Sequence, residues 1–166
     1  MAATQTEQTD YFLKIEGIEG ESRDENHQGE VDITRFTWGE SNKGMQGGSS
    51  ARVAMQEFHF TTKVNKASPK LFVACAEGTV YKKAVLTCRK GGGDGRQNYL
   101  IWTFENVRVC TYEQVAGGSA ETVVPVETFA LTFDIIKMGY SEQKPDGTLE
   151  GEIGEGWDKP NNKKIQ

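Results

Sequence analysis

The sequence predicts a mainly β, single-domain protein with one short helix. Three observations carry that reading. Apolar and polar residues alternate with period two over most of the chain, as expected of half-buried strands. The 166 residues include 19 glycines and only 4 prolines, a turn-rich globular composition. One segment alone carries helix start and stop signals, and 166 residues suit one core, with no linker or internal repeat to divide it.

Tyr11 to Glu16 reads as the first strand. An acidic loop follows, with Glu19, Glu21, Asp24, Glu25, Glu30 and Asp32 grouped around His27. The second strand runs from about Gly29 to Trp38, and at its end Arg35 and Thr37 share a polar face while Phe36 and Trp38 point into the core. Residues 39–50, GESNKGMQGGSS, form a long glycine-rich loop whose one large apolar residue is Met45. Ala51 to Thr62 is a third strand, with Phe58 and Phe60 on one face and His59 on the other.

Ser68-Pro69 opens the helix, the hydroxyl as cap and the proline in the first turn, and Gly78 closes it. Leu71, Phe72, Cys75 and Ala76 are its expected apolar stripe. Strands resume at Val80 to Lys90 and, after the GGGDG turn, at Tyr99 to Tyr112. Beyond AGGSAE, the run Thr122 to Tyr140 places Phe129, Leu131, Phe133 and Ile135 on one face, but it is too long for one flat strand. Pro125 cannot donate to a ladder, so the strand begins or bends there. From Ser141 the chain is polar and glycine-rich with Trp157 its only large anchor, which predicts a loosely held tail ending in at most one short strand.

Several function classes find no support. A net charge of -5 with lysines and arginines in short groups gives no track for phosphates, so no nucleic acid is expected. No run of 18 apolar residues suggests membrane insertion, and MAATQTEQTD lacks the basic start and apolar middle of a secretory signal, which predicts synthesis in the cytosol. Cys75, Cys88 and Cys110 are odd in number and widely spaced, and are expected as reduced, buried thiols. The acidic loop lacks the fixed positions of a calcium loop, so its carboxylates are expected in water. His27 and His59 have no partner at ligand spacing. No nucleophile elbow occurs, and GGGDGRQ is followed by strand where a phosphate cradle needs a helix. No catalytic residue, cofactor or metal ligand is therefore expected. The many aromatics sit at core-type positions; the alternative is a monomeric β-sandwich that binds a ligand such as a carbohydrate through an exposed aromatic groove.

Six pieces, in order, carry a resemblance: FLKIEGIEGES, HQGEVDI, FTWG, VNKASPKLFVACAEG, AVLTCRKGGG and YLIWTFENVRV. Together they resemble the Hcp family, the haemolysin-coregulated tube protein of bacterial type VI secretion, over residues 11–140. Residues 1–10 are then a polar lead, and residues 141–166 a poorly matched tail. The resemblance implies a small β-barrel of two packed, mostly antiparallel sheets with one short flanking helix at about 67–77. It also implies a homo-hexameric ring, stacked head to tail into a tube that a contractile sheath propels beneath a spike, with small effector proteins carried in the lumen. Synthesis in the bacterial cytoplasm without a signal peptide, and export by the secretion apparatus to the medium or a target cell, go with that role. Carried over by position, Arg35 and Thr37 face the lumen. Lys43, Gly44, Met45, Gln46, Gly47 and Gly48 form the loop that reaches the next ring. Gly17, Gly20, Glu21, Ser22, His27, Gly29, Glu30, Trp38 and Gly39 are signature residues with a structural role. Ordering so flexible a loop costs about 1 kcal/mol or more per residue, so stacking of free rings is expected to be weak.

Overall fold

The computed structural model describes residues 9–44, 52–92, 95–117 and 124–166. The elements in order are β1 (Thr9–Ile15), β2 (Val31–Ile33), β3 (Arg35–Thr37), β4 (Glu40–Ser41), β5 (Ala54–Met55), β6 (Phe58–Lys63), α1 (Ser68–Glu77), β7 (Tyr81–Gly92), β8 (Gly95–Val115), β9 (Val126–Thr132), β10 (Ile135–Tyr140), β11 (Ile153–Asp158) and β12 (Lys163–Ile165). All named pairings are antiparallel. The larger sheet runs β12-β11-β10-β8-β7-β1-β2, and the smaller runs β3-β6-β9-β8. β4 and β5 form a separate two-stranded ribbon.

The fold is thus two packed sheets and one helix, but not a closed cylinder, because the chain changes sheets at two corners. At the first, the 21-residue β8 pairs with β7 and β10 through its first half and with β9 through its second. Asn106 sits between the halves at φ 53°, a conformation asparagine tolerates better than most side chains, and its Nδ2 donates to Asp134 Oδ2 at 3.1 Å. Asp134 lies between β9 and β10, so both partners of β8 turn at the same level. At the second corner Thr34 separates β2 from β3. Its backbone N–H and its hydroxyl both donate to Thr61 O, while Thr62 Oγ1 donates to Asp32 O at 2.6 Å, which binds the turning strand to β6.

Between the sheets lies the core. Phe58, Phe60, Phe104 and Phe129 are fully buried with Leu13, Leu71, Leu86 and Leu131, each burial contributing roughly 1.5–3 kcal/mol. Phe58 and Phe60 project from one face of β6 into this core, and His59 projects from the other.

The structure corrects the sequence reading in several places. The expected strand from Ala51 is two elements, β5 and β6. The helix is capped by Ala67, without a side-chain bond: Asn65 Oδ1 accepts from Ala67 N, and Ser68 Oγ accepts from Asn65 N, so Ser68 buttresses the turn before the helix. Gly78 closes it in the left-handed region at φ 66°. Its buried residues are Ser68, Leu71 and Ala74; Phe72 and Ala76 face outward. The run after Pro125 breaks at Phe133-Asp134, which flips the alternation, so Ile136 rather than Ile135 is buried. The tail is not loose: β11 pairs along all six residues of β10, and β12 pairs with β11. Cys88 is buried and Cys75 half-buried, but Cys110 is exposed, because the alternation that buries Val107 and Val109 turns it outward.

Candidate functional site

The outer face of the smaller sheet is polar except at buried Ala130. Strand register places Arg35 beside Thr61, Thr61 beside Thr128 and Thr128 beside Glu113; one rank along, Thr37, His59, Ala130 and Thr111 align in the same way. Arg35 and Thr37 are both exposed. A shallow groove of about 290 Å³ lies here, lined by Arg35, Phe36, Thr37, His59, Thr61 and Thr128. Short hydroxylated side chains with scattered charge hold water and offer no apolar anchor. The inner face of the same strand packs: Phe36 stacks on Phe58 at 5.5 Å and Trp38 stacks on Phe58 at 6.0 Å.

Beyond Trp38 the chain enters the glycine-rich loop through the β4-β5 ribbon, pinned at its base by Gln56 N donating to Gly39 O and by Trp38 Nε1 donating to Gln56 O, both at 3.0 Å. Lys43 is exposed, and Gly44 adopts φ 73° with its N–H donating to Asn42 Oδ1. Met45, Gln46, Gly47 and Gly48 lie outside the described residues. Against the ribbon's base opens an apolar groove of about 530 Å³ whose lining includes Trp38, Met55, Trp102, Ile136, Met138 and Trp157. The indole N–H groups of Trp102 and Trp157 are buried without an acceptor.

This arrangement of two sheets and one helix has counterparts. The family model described as "Type VI secretion system effector, Hcp" matches residues 12–140, more than three quarters of the chain. The chain belongs to the Hcp family. The protein hcp1 of Pseudomonas aeruginosa is 35% identical over 153 residues, covering 89% of this chain and 93% of that protein. The crystal structure of Hcp1 from Salmonella typhimurium superimposes with a TM-score of 0.79 at 32% identity, covering 95% of this chain and 99% of that one. A type six secretion system protein aligns with a TM-score of 0.87 at 27% identity, covering 95% and 100%. This is a type VI secretion protein.

The Hcp-like residues of the acidic loop fold it against the outer face of the larger sheet. Gly20 N donates to Gly29 O, Ser22 N to Glu30 O and Gly29 N to Ser22 O, a small hairpin of its own. Gly17 and Gly29 take φ of 99° and 73°, and a Cβ on Gly20 would collide with the Glu30 backbone, so these three positions need glycine. Glu21 Oε2 accepts from Lys66 N at 3.1 Å, tying the loop to the start of α1. Buried Ser22 accepts from Asp24 N through Oγ. His27 is 6% exposed, stacks on Phe12 at 4.2 Å, and its Nδ1 lies 2.9 Å from Glu30 Oε2.

Three of the loop's carboxylates, Glu21, Glu30 and Asp24, are therefore not simply in water, contrary to expectation. Asp24 is held by Arg89 from β7 with two hydrogen bonds of 2.9 and 2.6 Å. Arg89 is 3% exposed, also donates to Asp10 at 3.1 Å, and lies 4.7 Å over the Phe12 ring. The Arg89 guanidinium holds the Asp24 carboxyl down to about 2. Sequence reasoning missed this cluster, since 65 residues separate the pair.

Two potential nucleophiles among the described residues are held protonated. Burial pushes the Cys88 thiol up to about 12, so it is no nucleophile near neutral pH. Burial, then the Glu127 carboxylate accepting its hydroxyl at 2.6 Å, pushes Tyr112 up to about 12 as well. Among the described residues no three of His, Cys, Asp and Glu converge as a metal site, and no helix is long and apolar enough to cross a membrane.

Proposed function

We propose that this Hcp protein is the structural subunit of a type VI secretion inner tube, a non-enzymatic chain that forms hexameric rings, stacks them head to tail, and carries small effector proteins in the lumen. Membership of the family across residues 12–140 is the observation that carries the reading. The geometry supports it. In the smaller sheet β3 and the second half of β8 are the terminal strands, and edge-to-edge joining of such sheets gives unpaired backbone groups their partners while setting the polar wall around a hole. Arg35 and Thr37 would then face the channel and its cargo. In the larger sheet β10 is covered by β11 and β12, so the tail leaves only a three-residue edge strand on that side.

Gel filtration with light scattering at micromolar concentration is expected to give the mass of six chains; a stable monomer would sink the reading. Weak stacking in free solution follows from the loop after Gly39. Deleting residues 44–48 is expected to leave the ring mass unchanged and to abolish tubes in negative-stain images. In this reading the contractile sheath and spike act on the assembled tube, and the apparatus exports the chain from the bacterial cytoplasm to the medium or a target cell.

A further inference from the structure

The C-terminal hairpin belongs to the larger sheet but not to the core. No residue from Ser141 to Gln166 is buried, whereas every other strand of that sheet contains at least one buried residue. In the sheet β11 lies between β10 and β12, and β12 is the edge. Gly154 and Gly156 give β11 little to pack, and Ile153 at its start is 72% exposed. The ion pair of Lys164 with Glu155 is exposed on both sides and contributes little.

What holds the hairpin is its ladder to β10 and one aromatic anchor. Trp157 is half-buried against the core and lines the groove shared with Trp102 and Ile136. Its indole N–H is buried without an acceptor, a cost that water relieves once the strand lifts. At the far end of β11, Lys159 N donates to Asp134 O at 2.9 Å. The link from β10 keeps a shape of its own: Lys144 N donates to Thr148 O, Gly147 N to Lys144 O and Glu150 N to Glu142 O, all within residues 141–152. A link that is folded without the core can swing without unfolding the core.

We infer that residues 141–166 form a strap that opens and closes as one unit on an otherwise folded subunit, and that the closed strap guards the edge of β10. Bare, that six-residue edge would present unpaired backbone groups beside Met138 and Tyr140, each 42% exposed even under the strap. Such an edge is a template for another sheet. Covering it confines the joining of copies to the smaller sheet. The opening stands on the burial pattern alone, while the guard role rests on the tube reading above.

Hydrogen–deuterium exchange on the full chain tests the opening. Amides of Ile153–Asp158 are expected to exchange together, about tenfold faster or more than those of Trp102–Val109. Phe58→Leu weakens the core in the open and closed forms alike, so it should speed exchange of Trp102–Val109 and leave Ile153–Asp158 unchanged. A clamp of Met138→Cys with Glu155→Cys, in a background of Cys75→Ser and Cys110→Ser, joins residues directly paired across β10 and β11, whose Cα atoms lie within disulfide reach at roughly 4.5–5.5 Å. Once oxidised by air with copper, it should slow Ile153–Asp158 to the rate of the core, and reduction should restore the wild-type rate. If these amides follow Trp102–Val109 in wild type and in Phe58→Leu, the strap is overturned. For the guard role, Trp157→Ala, its fold verified by circular dichroism, is expected to add species heavier than wild type in light scattering, and the oxidised clamp alone to slow aggregation of the otherwise unaltered chain. Neither effect appearing overturns the guard and leaves the opening. A monomeric wild type overturns the tube reading, and exchange in that monomer still decides the strap.

Discussion

Phe58→Ala is expected to lower unfolding stability by about 3–5 kcal/mol, a large share of the roughly 5–15 kcal/mol typical of a domain. The ring has no solvent exposure and meets Phe36 at 5.5 Å, Phe60 at 5.1 Å, Trp102 at 5.5 Å and Phe104 at 4.9 Å. Truncation leaves a cavity between two sheets whose strands are fixed by their ladders, so little collapse can refill it. Urea unfolding followed by tryptophan fluorescence should show a lower midpoint with an unchanged slope. Phe58→Leu, which keeps most of the volume, should lose less than half as much. Equal stability of wild type and the alanine variant would mean that the aromatic cluster is not where the fold derives its strength.

Arg89→Met is expected to cost about 3–5 kcal/mol, because it leaves Asp24 mostly buried and without its cation, beside an Asp10 that keeps only the longer contact to exposed Arg96 at 3.4 Å. Arg89→Lys should recover only part of the loss, since an ammonium cannot reproduce the paired bonds to one carboxylate. The same contact sets an acid limit. Asp24 has its ordinary value of 3.8 in the unfolded chain and about 2 in the fold, so its contribution is fully present above about pH 4 and disappears as pH falls toward 2. Wild type should therefore lose stability across that window by more than Asp24→Asn does, and the two unfolding curves should converge at its acid end. Parallel curves from pH 5 to 2 would show that the ion pair does not hold the loop.

Local chemistry made some elements legible and long-range geometry hid others. α1 announced itself because proline near its start and glycine at its end have conformational reasons to be there, and β6 because alternate phenylalanines need no partner to be recognised. The strand β11 escaped notice because glycines have low β-propensity. Gly156 is present for closeness: a Cβ there would lie 2.9 Å from Ile165 and from Lys137 and 3.2 Å from Ile136 O. The break at Asp134 was invisible because its cause, the turn of β8 at Asn106, lies 28 residues away. In the candidate site, alternation alone put Arg35 and Thr37 on a polar face. It could not tell that Asp24, one acid among six, is the one that meets Arg89.

One consequence follows from a single strand serving as the spine of both sheets. Neither sheet can come away from the other without tearing hydrogen bonds from β8, so melting at that strand would drag the opposite layer with it. Amide protons from Trp102 to Val109 should exchange with deuterium only through whole-molecule unfolding, at one common rate-limiting free energy. In the tube proposed above, such a subunit would transmit axial load as one stiff body until it fails all at once, instead of yielding layer by layer.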